Sequence, residues 1–153
     1  MPLKAVLDTN VLVSGLVATR GAPRQILDAW LKDQYTLVTS LYLLEELIHV
    51  LSYPRIALRL SLTDAELAAI LAALSSKAEI TPGHLHLPGV TRDPKDDAVV
   101  ACALEGKADY IVSGDQDLLT LGKYNHIQIV TPRQFSEILA GLLPPGQPTM
   151  SRT

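Results

Sequence analysis

Four carboxylates lie in or beside apolar segments of this 153-residue chain: Asp8, Glu46, Asp97 and Asp115. A carboxylate beside a hydrophobic core costs several kcal/mol unless it is neutralised. If the four converge, each pair at about 4 Å repels by roughly 4 kcal/mol at an effective dielectric of about 20. A divalent cation that prefers oxygen ligands, such as Mg²⁺ or Mn²⁺, would neutralise the group. The chain is therefore a candidate for an acidic metal site.

Alternating strand and helix patterns must position these acids. Short apolar strand patterns are separated by helical ones, and this alternation predicts a parallel sheet covered by helices on both faces. The predicted fold class is α/β, with one domain over residues 1–143 and a flexible, Pro-rich tail over residues 144–153. Strands are predicted at residues 4–7, 35–39, 78–80, 109–112 and 127–130.

Two of the acids come just after predicted strands. Asp8 follows the first strand, and Asp115 follows the fourth after Ser113 and Gly114. In open α/β sheets, ligands bind beyond the carboxyl ends of the strands, at the topological switch point. Both acids should therefore lie at the edge where a site is expected. Each also stands where it can cap the helix that follows, and one side chain can both cap a helix and bind a metal.

The periodicity of its helix favours Asp97 as a site residue. Asp97 shares one helical stripe with Val100 and Leu104, whereas a solvated acid more often lies opposite the apolar face. Its neighbours have simpler explanations, because Asp93 can cap the helix and Asp96 is a first-turn acid favoured by the helix dipole. We therefore predict that Asp97 faces the site.

Two further positions stay open on the residues alone. Glu45 and Glu46 are adjacent on one helix, and both lie beside or beyond its Leu-rich stripe, so periodicity does not choose between them. Asp117 can reach the site, or it can cap the short helix that begins near Leu118.

Composition excludes several classes of protein. Hydrophobic residues make up 48% of the chain and charged residues 19%, which argues against a long disordered chain. No apolar run approaches the roughly 20 residues of a membrane span, and no signal-peptide pattern precedes the first strand. We therefore expect no membrane association. Cys102 is the only cysteine, so an intrachain disulfide cannot form, and we expect a cytoplasmic protein.

The ordered motifs of the chain resemble those of PIN domains. The opening motif is VLDTNVL at residues 6–12, and the second acidic motif is ELIHVL at residues 46–51. The third and fourth are DPKDDAVVACA at residues 93–103 and IVSGDQDLL at residues 111–119. Their order and spacing agree with the family over roughly residues 3–140. Within it, the chain looks most similar to VapC-like toxin components of toxin–antitoxin pairs.

The resemblance implies a three-layer α/β/α fold with a five-stranded parallel sheet, and metal-dependent ribonuclease activity. It also implies an acidic quartet that binds Mg²⁺ or Mn²⁺, with Glu46 preferred to Glu45. The implied metal ligands are Asp8, Glu46, Asp97 and Asp115, with Asp117 as a further acid of the site. The supporting polar residues are Thr9, Asn10 and Ser113.

Three partners are expected. The resemblance implies an RNA substrate and, for a toxin, an antitoxin protein. A homodimer is also expected, because the helix over residues 65–74 is apolar on several sides; burial of that helix inside the monomer is an equal alternative.

Charge does not decide between substrates. The net charge is −3, and setting aside the four named acids leaves 12 acidic residues against 13 basic ones. No strongly basic strip marks an RNA-binding surface, so Arg92 and Lys95 are the weak candidates for RNA contact. The alternative function, from another class, is a partner-binding PIN module with weak or no nuclease activity.

Overall fold

The computed structural model describes residues 2–141, which form one sheet flanked by helices. The tail predicted over residues 144–153, with the last two residues of the predicted domain, lies outside the described residues. Within residues 2–141, no helix is both long enough and apolar enough to cross a membrane.

Strands and helices alternate along this part of the chain. The strands are β1 (Lys4–Leu7), β2 (Thr36–Ser40), β3 (Glu79–Thr81), β4 (Tyr110–Val112), β5 (Lys123–Tyr124) and β6 (Ile127–Val130). The helices are α1 (Thr9–Val17), α2 (Ala22–Leu31), α3 (Leu41–Leu51), α4 (Pro54–Ala57), α5 (Asp64–Ser76), α6 (Pro94–Glu105), α7 (Gln116–Leu121) and α8 (Pro132–Leu139).

The strand order across the sheet is β3-β2-β1-β4-β6-β5. The first five of these strands are mutually parallel, which confirms the predicted α/β class, and β5 is antiparallel to β6. β5 is an addition to the prediction. It pairs Lys123 with Gln128 and Tyr124 with Ile127, around a turn in which Asn125 has a left-handed φ of 53°. Two residues are too few to show an alternation pattern in the sequence.

Successive residues of the central strand enter two separate cores. In β1, Ala5 and Leu7 pack with α1, α2, α3, α5 and α8, while Val6 packs with α6 and α7 on the other face. All three side chains are at most 3% exposed. A strand covered on both faces is apolar at every position, which is why β1 shows no polar alternation in the sequence.

The chain reverses its direction across the sheet at β1. From β1 it runs to β2 and β3 on one side, and α6 then leads back to β4 on the other side of β1. Leu7 therefore pairs with Val112, and the Asp8 N–H donates to the Val112 carbonyl at 2.9 Å. This is a topological switch point, the place where parallel sheets bind ligands beyond the carboxyl ends of their strands.

Capping residues fix where the helices near this edge begin. Ser40 accepts a hydrogen bond from the Leu43 N–H at the start of α3, and Asp93 accepts one from the Lys95 N–H at the start of α6. Capping boxes also begin α5 and α8. The cap at Asp93 matters most for function, because it sets the orientation of the acids in the first turn of α6.

Candidate active site

Asp8 is held at the end of β1 by a buried serine. Its side chain is 6% exposed, and the Ser113 hydroxyl donates to Asp8 Oδ2 at 2.7 Å. Burial raises the pKa of the Asp8 carboxyl, the Ser113 hydrogen bond lowers it, and the charge of Asp115 raises it, with a net rise. The site therefore keeps a carboxylate in surroundings that resist its ionisation.

Asp115 lies beyond the end of β4 and caps α7. Asp115 Oδ1 accepts hydrogen bonds from the backbone N–H groups of Asp117 at 2.8 Å and Leu118 at 3.4 Å. The Asp115 N–H in turn donates to Ser113 Oγ at 2.9 Å. Because Ser113 also binds Asp8, this one buried hydroxyl joins the two strand-end acids. The capping interpretation is thus correct for Asp115, and a metal-binding role is compatible with it.

Asp96 is the third acid that reaches this edge of the sheet. It is 5% exposed, and its Oδ2 is buried without a hydrogen-bond partner in the described part of the chain. Carboxylate oxygens of Asp96, Asp115 and Asp117 lie within 4.8 Å of one another. Burial, and then the charges of Asp115, Asp8, Asp93 and Asp117, raise the pKa of Asp96 to about 7.

These acids fit a divalent cation. Carboxylate oxygens are the ligands that Mg²⁺ and Mn²⁺ prefer, and a buried oxygen without a partner is the position that an ion would fill. Asp117 is exposed and Asp115 half-buried, so the group opens to solvent on one side. A magnesium ion bound here can keep several water molecules, as it does in most protein sites.

The Asp97 carboxylate faces the loop before α6 and not the other three acids. Its carboxylate accepts hydrogen bonds from the Gly89 N–H at 3.1 Å, the Thr91 N–H at 2.6 Å and the Thr91 hydroxyl at 2.9 Å. Asp97 is therefore bound to the loop before α6 and is not a member of the three-carboxylate group. The sequence favoured Asp97 over Asp96, and the structure brings Asp96 to the other acids instead. Whether Asp97 has a catalytic role stays a prediction for experiment.

The other predicted residues occupy different places. Glu46 is half-buried on α3 and Glu45 exposed, and neither belongs to the three-carboxylate group found among the described residues. Thr9 is 2% exposed directly after Asp8, while Asn10 is exposed. Ser113 contacts Asp8 through its side chain, and Thr9 and Asn10 lower the pKa of the Asp8 carboxyl through backbone hydrogen bonds. The weak RNA-binding candidates, Arg92 and Lys95, are both exposed beside the start of α6.

Ser113→Ala should test the link between the two strand ends. The substitution removes the donor to Asp8 and leaves the Asp115 N–H without its acceptor, which should cost about 1–3 kcal/mol of unfolding free energy. The pKa of Asp8 should rise further, because the hydrogen bond that favours its charged form is lost. Chemical denaturation and NMR titration of the Asp carboxyl carbons measure the two effects.

Ser136→Ala is the matched control, since the Ser136 hydroxyl donates to Gln25 Oε1 at an exposed position. It should change the unfolding free energy by less than about 0.5 kcal/mol and leave the pKa of Asp8 unchanged. An Asp8 pKa that is the same in both variants and the wild type would contradict the assigned role of Ser113.

Residues 4–117 match the family model of the PIN domain, so this chain belongs to the PIN domain family. The matched residues include Asp8, Asp96, Asp115 and Asp117. MJ1680 of Methanocaldococcus jannaschii, described as an uncharacterized protein, is 32% identical to the chain over 143 residues. The alignment covers 88% of this chain and 90% of that relative. PIN domains are generally nucleases, and they typically use a divalent metal.

Proposed function

We propose that the protein is a divalent-metal-dependent endoribonuclease. The observation that carries the proposal is Asp96 Oδ2, a buried oxygen without a partner among residues 2–141, beside two further carboxylates. Leaving it unpaired is costly, and Mg²⁺ or Mn²⁺ would satisfy it. Membership of the PIN domain family supports both the nuclease activity and the use of a metal. The proposed metal ligands are Asp8, Asp96, Asp115 and Asp117.

The contribution of the chain to such a reaction is mainly to hold oxygens in place. Ser113 fixes Asp8, the backbone of α7 fixes Asp115, and the first turn of α6 presents Asp96. When bound, the ion supplies a water molecule of lowered pKa for attack on a phosphodiester. Exposed Asp117 lies at the open side, where the RNA backbone would enter. With the 3′ oxygen as leaving group, the proposed products carry 5′-phosphate and 3′-hydroxyl ends.

A defined RNA panel incubated with Mg²⁺, Mn²⁺ or EDTA tests the proposal. We expect internal cleavage with either ion and none with EDTA. A mass-spectrometric analysis of the fragments identifies the ends and so the leaving oxygen. Cleavage that persists in EDTA would contradict the metal requirement, and an intact panel under all conditions would favour the partner-binding alternative.

Glu46 completes the proposed site from α3. It is half-buried, whereas its neighbour Glu45 is exposed, so the pair offers a matched comparison on one helix. We expect Glu46→Gln to lower metal-dependent cleavage by roughly 10–100-fold, in the range of groups that orient metal ligands or their waters. Glu45→Gln should keep the wild-type rate. Equal rates for the two variants in the RNA assay would remove Glu46 from the site.

Contact with RNA is proposed at the start of α6. Arg92 and Lys95 are exposed on either side of Asp93 and lie in the segment that leads to Asp96. Cationic side chains next to an acidic metal site can bind the phosphates that flank the scissile bond, and such contacts weaken as salt concentration rises. They carry no base specificity, which in single-stranded RNA comes from pockets and stacking.

The proposal extends to a toxin role with protein partners. Large apolar side chains are exposed on and after α3, and they offer a surface for an antitoxin or a second copy of the chain. These are Leu41, Tyr42, Ile48, Tyr53 and Leu58. Helix α5, whose apolar sides predicted either a dimer interface or burial in the monomer, packs Ile70 and Leu74 into the hydrophobic core of the monomer. The same exposed surface is the observation that favours the alternative, a partner-binding PIN module with weak nuclease activity.

A further inference from the structure

We infer that Asp97 is a positioning residue, which ties the loop before α6 to the first turn of that helix and so holds Asp96 toward the metal ligands. This inference rests on the proposed function, because it assigns Asp97 a role in the same reaction. It replaces direct metal binding by Asp97 with an effect that acts through its neighbour.

Three hydrogen bonds carry the inference. Asp97 is 8% exposed and accepts from the Gly89 N–H on Oδ2 and from the Thr91 N–H and hydroxyl on Oδ1. Both carboxylate oxygens are therefore engaged by the loop. Hydrogen bonds to an ionised acceptor are among the stronger ones, so the loop is firmly tied to α6.

Thr91 extends this network to the start of the helix. Its hydroxyl accepts from the Asp93 N–H at 3.2 Å and lies 2.8 Å from the Asp93 carbonyl. That same carbonyl accepts from the N–H groups of Asp96 at 3.0 Å and Asp97 at 3.1 Å. The chain of contacts thus runs from the Asp97 carboxylate through Thr91 and Asp93 to the backbone of Asp96.

Asp96 needs such support because its own carboxylate has little to hold it. Its Oδ2 has no hydrogen-bond partner in the described structure, and the neighbouring carboxylates repel it. It also lies in the first turn of α6, where the helix has no preceding turn to brace it. The direction of the Asp96 side chain is therefore set by the backbone that the Asp97 network fixes.

The far end of the same loop supplies a matched control. On α6, Glu105 accepts from the N–H groups of Gly83 at 2.8 Å and His84 at 2.9 Å. Between the two anchors, the loop covers a cavity of about 530 Å³ that Asp97 and Glu105 both line. Glu105→Gln loosens the loop at the end remote from Asp96, so it separates a general effect of loop mobility from the role assigned to Asp97.

The experiment compares Asp97→Asn, Thr91→Val and Glu105→Gln with the wild type. We expect the first two to weaken Mn²⁺ binding by roughly 10–100-fold, as is typical of residues that orient metal ligands. At saturating Mn²⁺ their cleavage rate should return to near the wild-type value, because the ligands themselves are intact. Amide hydrogen exchange at Asp96 and Asp97 should become faster in both, and Glu105→Gln should match the wild type in all three measurements.

Mn²⁺ affinities measured by calorimetry distinguish a failure of the role assigned to Asp97 from a failure of the proposed function. An active wild type with unchanged Mn²⁺ affinity in Asp97→Asn and Thr91→Val would overturn this inference alone. So would Asp97→Asn remaining inactive at saturating Mn²⁺ while Thr91→Val is normal, since Asp97 would then act as a ligand. A wild type that neither binds Mn²⁺ nor cleaves RNA would refute the proposed function itself, and with it the role of Asp97.

Discussion

Asp96→Asn should reduce metal-dependent RNA cleavage by roughly three orders of magnitude at a fixed Mg²⁺ concentration. The substitution removes a charged ligand from the buried side of the proposed site, and a loss of about 4 kcal/mol of transition-state stabilisation corresponds to that factor. Initial rates on a validated RNA substrate, measured across a Mg²⁺ series, give the effect. Unlike Asp97→Asn, this variant should not recover at saturating Mn²⁺.

Asp64→Asn is the control for that experiment. Asp64 is exposed at the start of α5, so its substitution removes the same charge without touching the acidic group. It should keep the wild-type rate. If Asp96→Asn cleaved RNA as fast as Asp64→Asn, the assignment of Asp96 as a metal ligand would be wrong.

The same Asp96→Asn change should stabilise the metal-free protein, and more so at pH 8 than at pH 5. The pKa of Asp96 is raised to about 7 in the folded protein, from 3.8 as an isolated group, first by burial and then by the neighbouring carboxylates. The folded state therefore holds this proton more tightly than the unfolded chain does. Wild-type stability falls as the pH rises from about 4 to about 7, whereas Asn does not titrate.

The full rise in pKa corresponds to about 4 kcal/mol at about 1.4 kcal/mol for each pH unit. Water at the open side of the site reduces this to a gain on the order of 2 kcal/mol at pH 8. Chemical denaturation at both pH values measures it, with Asp64→Asn expected to change the unfolding free energy by less than about 1 kcal/mol. A gain that is equal at pH 5 and pH 8 would contradict the titration of Asp96.

Mg²⁺ should make the wild type more stable than Asp96→Asn, which is the reverse of the order expected without metal. An ion that binds only the folded protein stabilises it by mass action, so the wild type should gain stability as Mg²⁺ is added while Asp96→Asn gains much less. The comparison needs no RNA substrate. It therefore tests the metal site separately from the nuclease activity.

The strand ends of the site could be predicted from the sequence because a parallel sheet brings them together. Once β1 and β4 are recognised as buried strands, the switch-point rule places Asp8 and the residues after Val112 at one edge. The capping boxes of α5 and α8 can also be predicted from the sequence, since each depends on two residues three positions apart. These features follow from local spacing together with one rule of topology.

The choice between Asp96 and Asp97 was beyond the sequence. An apolar stripe identifies the inward residues of a helix that has one buried face, whereas α6 buries residues around most of its circumference near its start. Asp96 stands three and four positions before Val99 and Val100, which are 2% and 0% exposed, so the same periodicity supports it. What separates the two acids is the loop over residues 89–91, whose N–H groups bind Asp97. No periodicity in the sequence reports that contact between the loop and the helix.

The hydroxyl of Ser113 that joins Asp8 to the Asp115 backbone has a consequence for synthesis of the chain. The two bonded residues Ser113 and Asp8 are 105 positions apart, so the acidic group cannot assemble until β4 has been made and has paired with β1. Contacts so distant in sequence form late, after the entropy of closing a long loop has been overcome. A nascent chain that ends before residue 115 lacks two of the four proposed ligands, and the ribosome that makes this protein is not exposed to the proposed nuclease until four of the six strands exist.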